Sequence, residues 1–292
     1  MIERRAGIAH VAALAALLLL PAALSHADEA PSPRVMSLNV CTDQLALLLA
    51  RPGQLLSVSN LAADPALSFL HARAKDFPVN HGLAEDVFLA RPDVVVTGTY
   101  SLHNTTALLR RLGHRVEEFP FTQTVESIPA DIRRMGDILG VAEKAEEMAA
   151  TFERGVAEAA KDRCGADPAA LAYDQNGIAL GAGTLADSVM RAAGLRNIAA
   201  EGGYDGMRPY PLELLVTRAP DIVILRKPLS DAPALADQLA QHPALRALKA
   251  SRIGSFVPAG SWTCGGPFVL EAIRALRALR DEIAICPRPG AS

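Results

Sequence analysis

The side chains in this 292-residue chain that could do more than pack are few and scattered. Four cysteines stand at Cys41, Cys164, Cys264 and Cys286, and the only tryptophan, Trp262, lies in the Gly-rich run GSWTCGGP. Thiolates could bind soft metals or pair as disulfides, and an indole on a loop offers a flat platform for a flat ligand. Two thiolates alone make an incomplete metal site. His71, His81, His103, His114 and His242 show neither HxxxH nor HExxH spacing, although His81 and His103 could reach one strand edge. No GxSxG occurs and no nucleophile–base pair can be argued, so no catalytic residue and no enzyme is expected. GAGTLA (181–186) fits GxGxxA, with Glu201 about 20 residues on. The strand before it is interrupted by Asp174-Gln175-Asn176-Gly177, and the segment is set aside as a nucleotide site.

An alternation of strands and helices must position these groups. Residues 34–40 and 55–59 read as strands, with Thr42 and Asp43 as N-cap types opening a helix through Leu49. A helix at 83–90, a strand at 93–97, a helix at 104–112 and a strand at 115–119 follow. From Gly136 to Arg163 the chain has no proline, and apolar residues recur at Ile138, Val141, Ala145, Met148, Phe152, Val156 and Ala159. That spacing predicts one long helix of roughly 39 Å. Alternation then resumes: strands 169–173 and 178–181, helices 184–193 and 211–218, strand 221–225, helices around 233–249, strand 253–257, and a helix from Pro267 to about Ile285. This is the pattern of a parallel sheet covered by helices.

Residues 1–27 stand apart. Arg4 and Arg5 precede the apolar run from Ile8 to Leu20, and Leu24-Ser25-His26-Ala27 places small residues at −3 and −1 before Asp28. This is the layout of a signal peptide cleaved near Ala27, too short to span a bilayer. No cysteine near the cleavage site signals a lipid anchor, and periplasmic export is expected. The remaining 265 residues carry 27 basic and 31 acidic side chains, which argues against nucleic acid. Their length suits two lobes better than one core.

In parallel α/β units ligands bind beyond the carboxyl ends of the strands. Here those ends bring Asn39, Cys41, Tyr100, Gly181–Thr184, Trp262 and Cys264 toward a cleft. Cys41 and Cys264 could serve there as ligand contacts, as a soft-metal pair or as an interlobe disulfide. Cys164 precedes the first strand of the second half and Cys286 ends its last helix, so both fall on the opposite edge. A Cys164–Cys286 disulfide is expected from that topology.

GLAEDVFLARPDVVVTG (82–98) and YPLELLVTRAPDIVILR (210–226) form a repeat. Glu85 and Glu213 stand eight residues before Asp93 and Asp221, each Asp follows a proline, and an aliphatic strand follows each Asp. The two halves are therefore built alike on either side of the long helix.

With RVMSLNVCTDQLALLLA and GAGTLADSVMRAAGLRNIA, this repeat resembles the helical-backbone periplasmic binding proteins for iron–siderophore complexes, haem and cobalamin. The likeness covers essentially residues 34–285. It implies two Rossmann-like α/β lobes, 34–135 and 168–286, joined by the helix 136–163, with a ligand cleft between them. It also implies that Glu85 and Glu213 dock onto an ABC permease at the membrane, and that Arg208 and Tyr210 contact ligand. The expected function is capture of a metal chelate by a monomer with no cofactor of its own. Iron–siderophore stands first, because aromatic residues usual in cobalamin binders are replaced by Leu61, Asn80 and His81. Haem could bind through Tyr100 or a histidine. A binder of free divalent metal ions and, further off, an exported enzyme are the alternatives.

Overall fold

The computed structural model describes residues 32–100, 102–161, 163, 165–226, 242–246, 248 and 251–284. The first lobe carries β1 (Val35–Ser37), α1 (Val40–Leu49), β2 (Leu55–Ser59), α2 (His71–Ala74), β3 (Val79–Asn80), α3 (Ala84–Ala90), β4 (Val94–Gly98), α4 (His103–Arg111) and β5 (Val116–Phe119). Its five strands are all parallel, in the order β3-β2-β1-β4-β5. Val94, Val95 and Val96 are all buried, as expected of a central strand covered on both faces.

Between the lobes run α5 (Ile128–Leu139) and α6 (Ala142–Ala159). The single helix expected over 136–163 is thus two helices, broken at Gly140, which caps α5 in the left-handed region with φ 67°. Arg133 on α5 pairs with Glu146 and Glu153 on α6, at 2.6 and 3.1 Å. A straight helix would hold Arg133 and Glu153 about 30 Å apart, so the chain doubles back and the helices lie side by side. Their approach is close: a Cβ on Gly136 would sit 2.2 Å from the Ala145 Cβ. The connecting helix proper is α6, about 27 Å long.

The second lobe follows with β6 (Ala169–Asp174), β7 (Ile178–Leu180), α7 (Leu185–Ala192), β8 (Arg196–Asn197), α8 (Ile198–Glu201), β9 (Met207–Pro209), α9 (Leu212–Arg218), β10 (Ile222–Leu225), α10 (Pro243–Arg246), β11 (Arg252–Gly254) and α11 (Val269–Ile283). β6, β10 and β11 are parallel, like β1, β4 and β5. On its other edge β6 departs from the first lobe. β8 pairs with its start in parallel, while β7 pairs with its end antiparallel and continues to β9. The interruption at 174–177 is the tight turn that reverses the chain for this hairpin, with Asn176 at φ 58°.

The repeat has a local cause. α3 and α9 each end in a left-handed residue before the proline, Arg91 at φ 48° and Ala219 at φ 40°. The proline cannot continue the helix and the strand begins two residues later. One apolar core then runs through both lobes: Val35, Val94 and Phe119 join Met135, Phe152, Ala172, Ile224 and Ile273 in a single buried cluster. Gly155 lets Leu270 of α11 pack onto α6, where a Cβ would lie 2.7 Å from the leucine Cδ1.

Candidate functional site

A cavity of about 710 Å³ opens at the carboxyl ends of the second sheet. Tyr173 and Asp174 enter it from the end of β6, Ile224 and Arg226 from the end of β10, Leu180 from the end of β7, and Ala182 to Ala186 from the turn and first residues of α7. Phe121 to Gln123, after β5 of the first lobe, supply the facing contribution, and Trp262 and Thr263 come from the loop after β11. The volume lies within the range of small-molecule sites.

Its electrostatics centre on one ion pair. Arg226 Nη1 donates to Asp174 Oδ2 at 3.1 Å, with both side chains largely covered. Tyr173 is buried, and burial lifts its phenol above the ordinary tyrosine range. Its hydroxyl stays protonated and donates to the Tyr210 carbonyl at 3.2 Å. Phe121 is exposed and stacks on Tyr100 with ring centroids 4.4 Å apart. The walls therefore offer aromatic faces and a thioether, Met207, around a partly neutralised guanidinium.

A family model described as periplasmic binding protein matches residues 35–260. The chain belongs to the periplasmic binding protein family. Solved structures match this binding protein at low identity. A periplasmic haem-binding protein, RhuT from Roseiflexus sp. RS-1, is 22% identical with a TM-score of 0.69, covering 87% of this chain and 99% of that one. A periplasmic haem-binding protein from Pseudomonas aeruginosa is 22% identical at 0.67, over 87% and 94%. The vitamin B12-binding protein BtuF of Vibrio cholerae is 17% identical at 0.66, over 88% and 99%. At such identities the likeness carries the fold alone. No functionally curated protein matches the chain.

Of the residues expected at the cleft of the binding protein, Trp262 lines the cavity and Tyr100 borders it through Phe121. Asn39 instead caps α1, its side chain accepting from the Cys41 N–H at 2.9 Å. Thr42 and Asp43, expected as the cap, lie inside the first turn and are buried. Cys41 and Cys264 form a disulfide, so neither offers a thiolate to a ligand or metal. Tyr210 is buried against Tyr204 in a second-lobe core cluster and does not face the cavity. Arg208 is exposed on β9, donating to the Asp205 carbonyl. His81 and His103 are exposed, and no group of metal-ligating side chains converges among the described residues. The expected Cys164–Cys286 pair lies outside the described residues.

Glu85 and Glu213 are both exposed in the first turns of α3 and α9. The residues not foreseen are Phe121, Gln123, Asp174, Met207 and Arg226. Arg226 closes the repeat and directly follows a strand, which is the signal that could have found it. The others depend on which loops the fold brings together.

Proposed function

We propose that this chain is the solute-binding component of an ABC importer, capturing in the periplasm a flat metal chelate of the haem or corrin class, with haem first. The observation that carries the reading is the interlobe cavity, walled by Trp262 and Phe121, with Arg226 at a strand end. A tetrapyrrole stacks on such faces, and its carboxylates suit a guanidinium that presents paired donors. Tyr100, exposed beside Phe121, offers a phenol oxygen, a ligand type that haem iron accepts. The haem-binding and vitamin B12-binding proteins of the same fold support this class. The iron–siderophore expectation falls behind it, because no feature of the cavity favours it specifically.

Delivery rests on Glu85 and Glu213, which hold equivalent places in the two lobes and offer one carboxylate each to basic residues of a permease. The test is absorbance and mass spectrometry of protein purified from native periplasm, with a haemin titration alongside. A bound tetrapyrrole with a Soret band is the expected result. A retained ferric siderophore would return the broader chelate reading, and turnover of a metabolite with no retained ligand would overturn the binding role.

A further inference from the structure

We infer that the Cys41–Cys264 disulfide fixes the Trp262 wall of the cavity, so that ligand affinity depends on the oxidation state of this one bond. This rests on the reading of the cavity as the ligand site. Cys41, in the first lobe, is then a positioning residue for a contact made by the second.

The loop between β11 and α11 belongs to the second lobe by sequence, yet its moorings lie in the first. At Gly260 a Cβ would fall 2.4 Å from the Phe69 nitrogen and 2.5 Å from the Ser68 carbonyl carbon, so two backbones touch there and φ is +73°. Four residues on, Cys264 is fully buried and bonded to Cys41, 223 positions away in sequence. Gly265 N–H donates to Gln123 Oε1 at 2.7 Å, and Gln123 Nε2 donates to Asp131 Oδ2 at 2.9 Å. Phe268 stacks on Phe69 with centroids 5.7 Å apart. Between the steric mooring and the covalent one lie Ser261, Trp262 and Thr263, and the last two line the cavity.

The covalent mooring is rigid on its far side, because Cys41 sits in the first turn of α1, whose cap is Asn39. It is also the one mooring that can change without a change in sequence. Cys41 is only half-buried, so a dithiol thiolate can attack its sulfur. The S–S bond breaks, and the Cys264 sulfur leaves as a thiolate and takes a proton. The dithiol's second sulfur then attacks its first, breaking the bond to Cys41, whose sulfur leaves as a thiolate and is protonated in turn. Two electrons and two protons pass to Cys41 and Cys264, and the dithiol ends as a disulfide. In an oxidising compartment the bond persists; once it is broken, Trp262 must be ordered again by the ligand, which weakens binding about tenfold.

Trp262 reports on its own loop, since the chain has no other tryptophan. The comparison is wild type, wild type reduced by a dithiol that is removed anaerobically, and Cys41→Ser/Cys264→Ser. Each is measured by acrylamide quenching of Trp262 and by haemin titration well below its Tm. The expected result is stronger quenching and about tenfold weaker haemin binding in the reduced and doubly substituted proteins, with the double variant insensitive to the dithiol. Quenching and affinity equal to wild type in the double variant, with only Tm lowered, would overturn the inference. So would an equal response of the double variant to the dithiol. If Trp262→Ala leaves haemin affinity unchanged, the cavity reading fails instead, and unchanged quenching alone still decides against the bridge.

Discussion

Asp93 and Asp221 play the same part in the two lobes. Each follows a left-handed residue and a proline, and each uses Oδ2 to accept the backbone N–H that opens the neighbouring strand. Arg34 N donates to Asp93 at 2.7 Å, and Ala169 N donates to Asp221 at 2.8 Å. The acid in the repeat is thus a strand clamp. Asp93→Ala and Asp221→Ala should each cost about 1 kcal/mol in chemical denaturation, and nearly additively, since the sites share no partner. The Asn variants keep an acceptor and should lose less.

Gly136→Ala tests the helix pair. In an exposed helix, alanine in place of glycine stabilises by about 1 kcal/mol. Here the new Cβ would lie 2.2 Å from that of Ala145, and α5 and α6 would have to separate. The variant should lose about 1–3 kcal/mol, by the usual scale of overpacking, with a lower Tm as the readout. A gain in stability would mean the helices are not in contact.

Asp43 predicts a pH dependence. Burial pushes its carboxyl from 3.8 up to about 7, against opposing hydrogen bonds from Ser37 and Ser59. The Ser59 N–H and hydroxyl both donate to it, at 3.0 and 2.5 Å. Because the folded value is raised, the contribution is complete below about pH 4 and is lost as pH rises through about 7. Asp43→Asn, which can still accept from the Ser59 N–H, should lack this dependence. The Tm difference between wild type and variant should shift by several degrees across about pH 4–8, with wild type favoured at the acid end.

Ligand affinity should follow the cavity walls. Trp262→Ala is expected to weaken haemin binding about tenfold or more through lost stacking. Arg226→Ala should cost a similar factor by removing a charged hydrogen-bond donor. Neither should change Tm by more than a few degrees, and titration followed by Soret absorbance separates the two effects. Equal affinities in all three proteins would place the ligand elsewhere.

Glu85→Ala with Glu213→Ala should abolish uptake in cells while leaving haemin affinity unchanged. Phe88 and Leu89, exposed three and four residues after Glu85 on α3, lie on the same helix face, so Glu85→Ala alone is the variant in which residual apolar contact can be read. Weakened ligand affinity would count against a docking role.

The order of strands and helices was legible in the sequence because its signals are local. The aliphatic runs at 55–59, 94–96 and 222–225, the prolines at 92 and 220, and the repeat about them define β2, β4, β10 and the likeness of the lobes. The antiparallel hairpin of β7 was marked only as an interruption. The break at Gly140 was hidden, because α5 and α6 bury residues in the same core and the apolar spacing runs on through the turn. Side chains of one type were no better separated: Tyr210 is core and Tyr100 is exposed, although both follow or precede a repeat strand. By itself the sequence determined an α/β chain of two similar halves, with Trp262 on a strand-end loop. Only the tertiary structure decided that Cys41 meets Cys264, that Asn39 caps a helix and that Arg226 meets Asp174 beside Trp262. Those outcomes depend on which distant loops the shared core brings within bonding distance, and no local pattern encodes that distance.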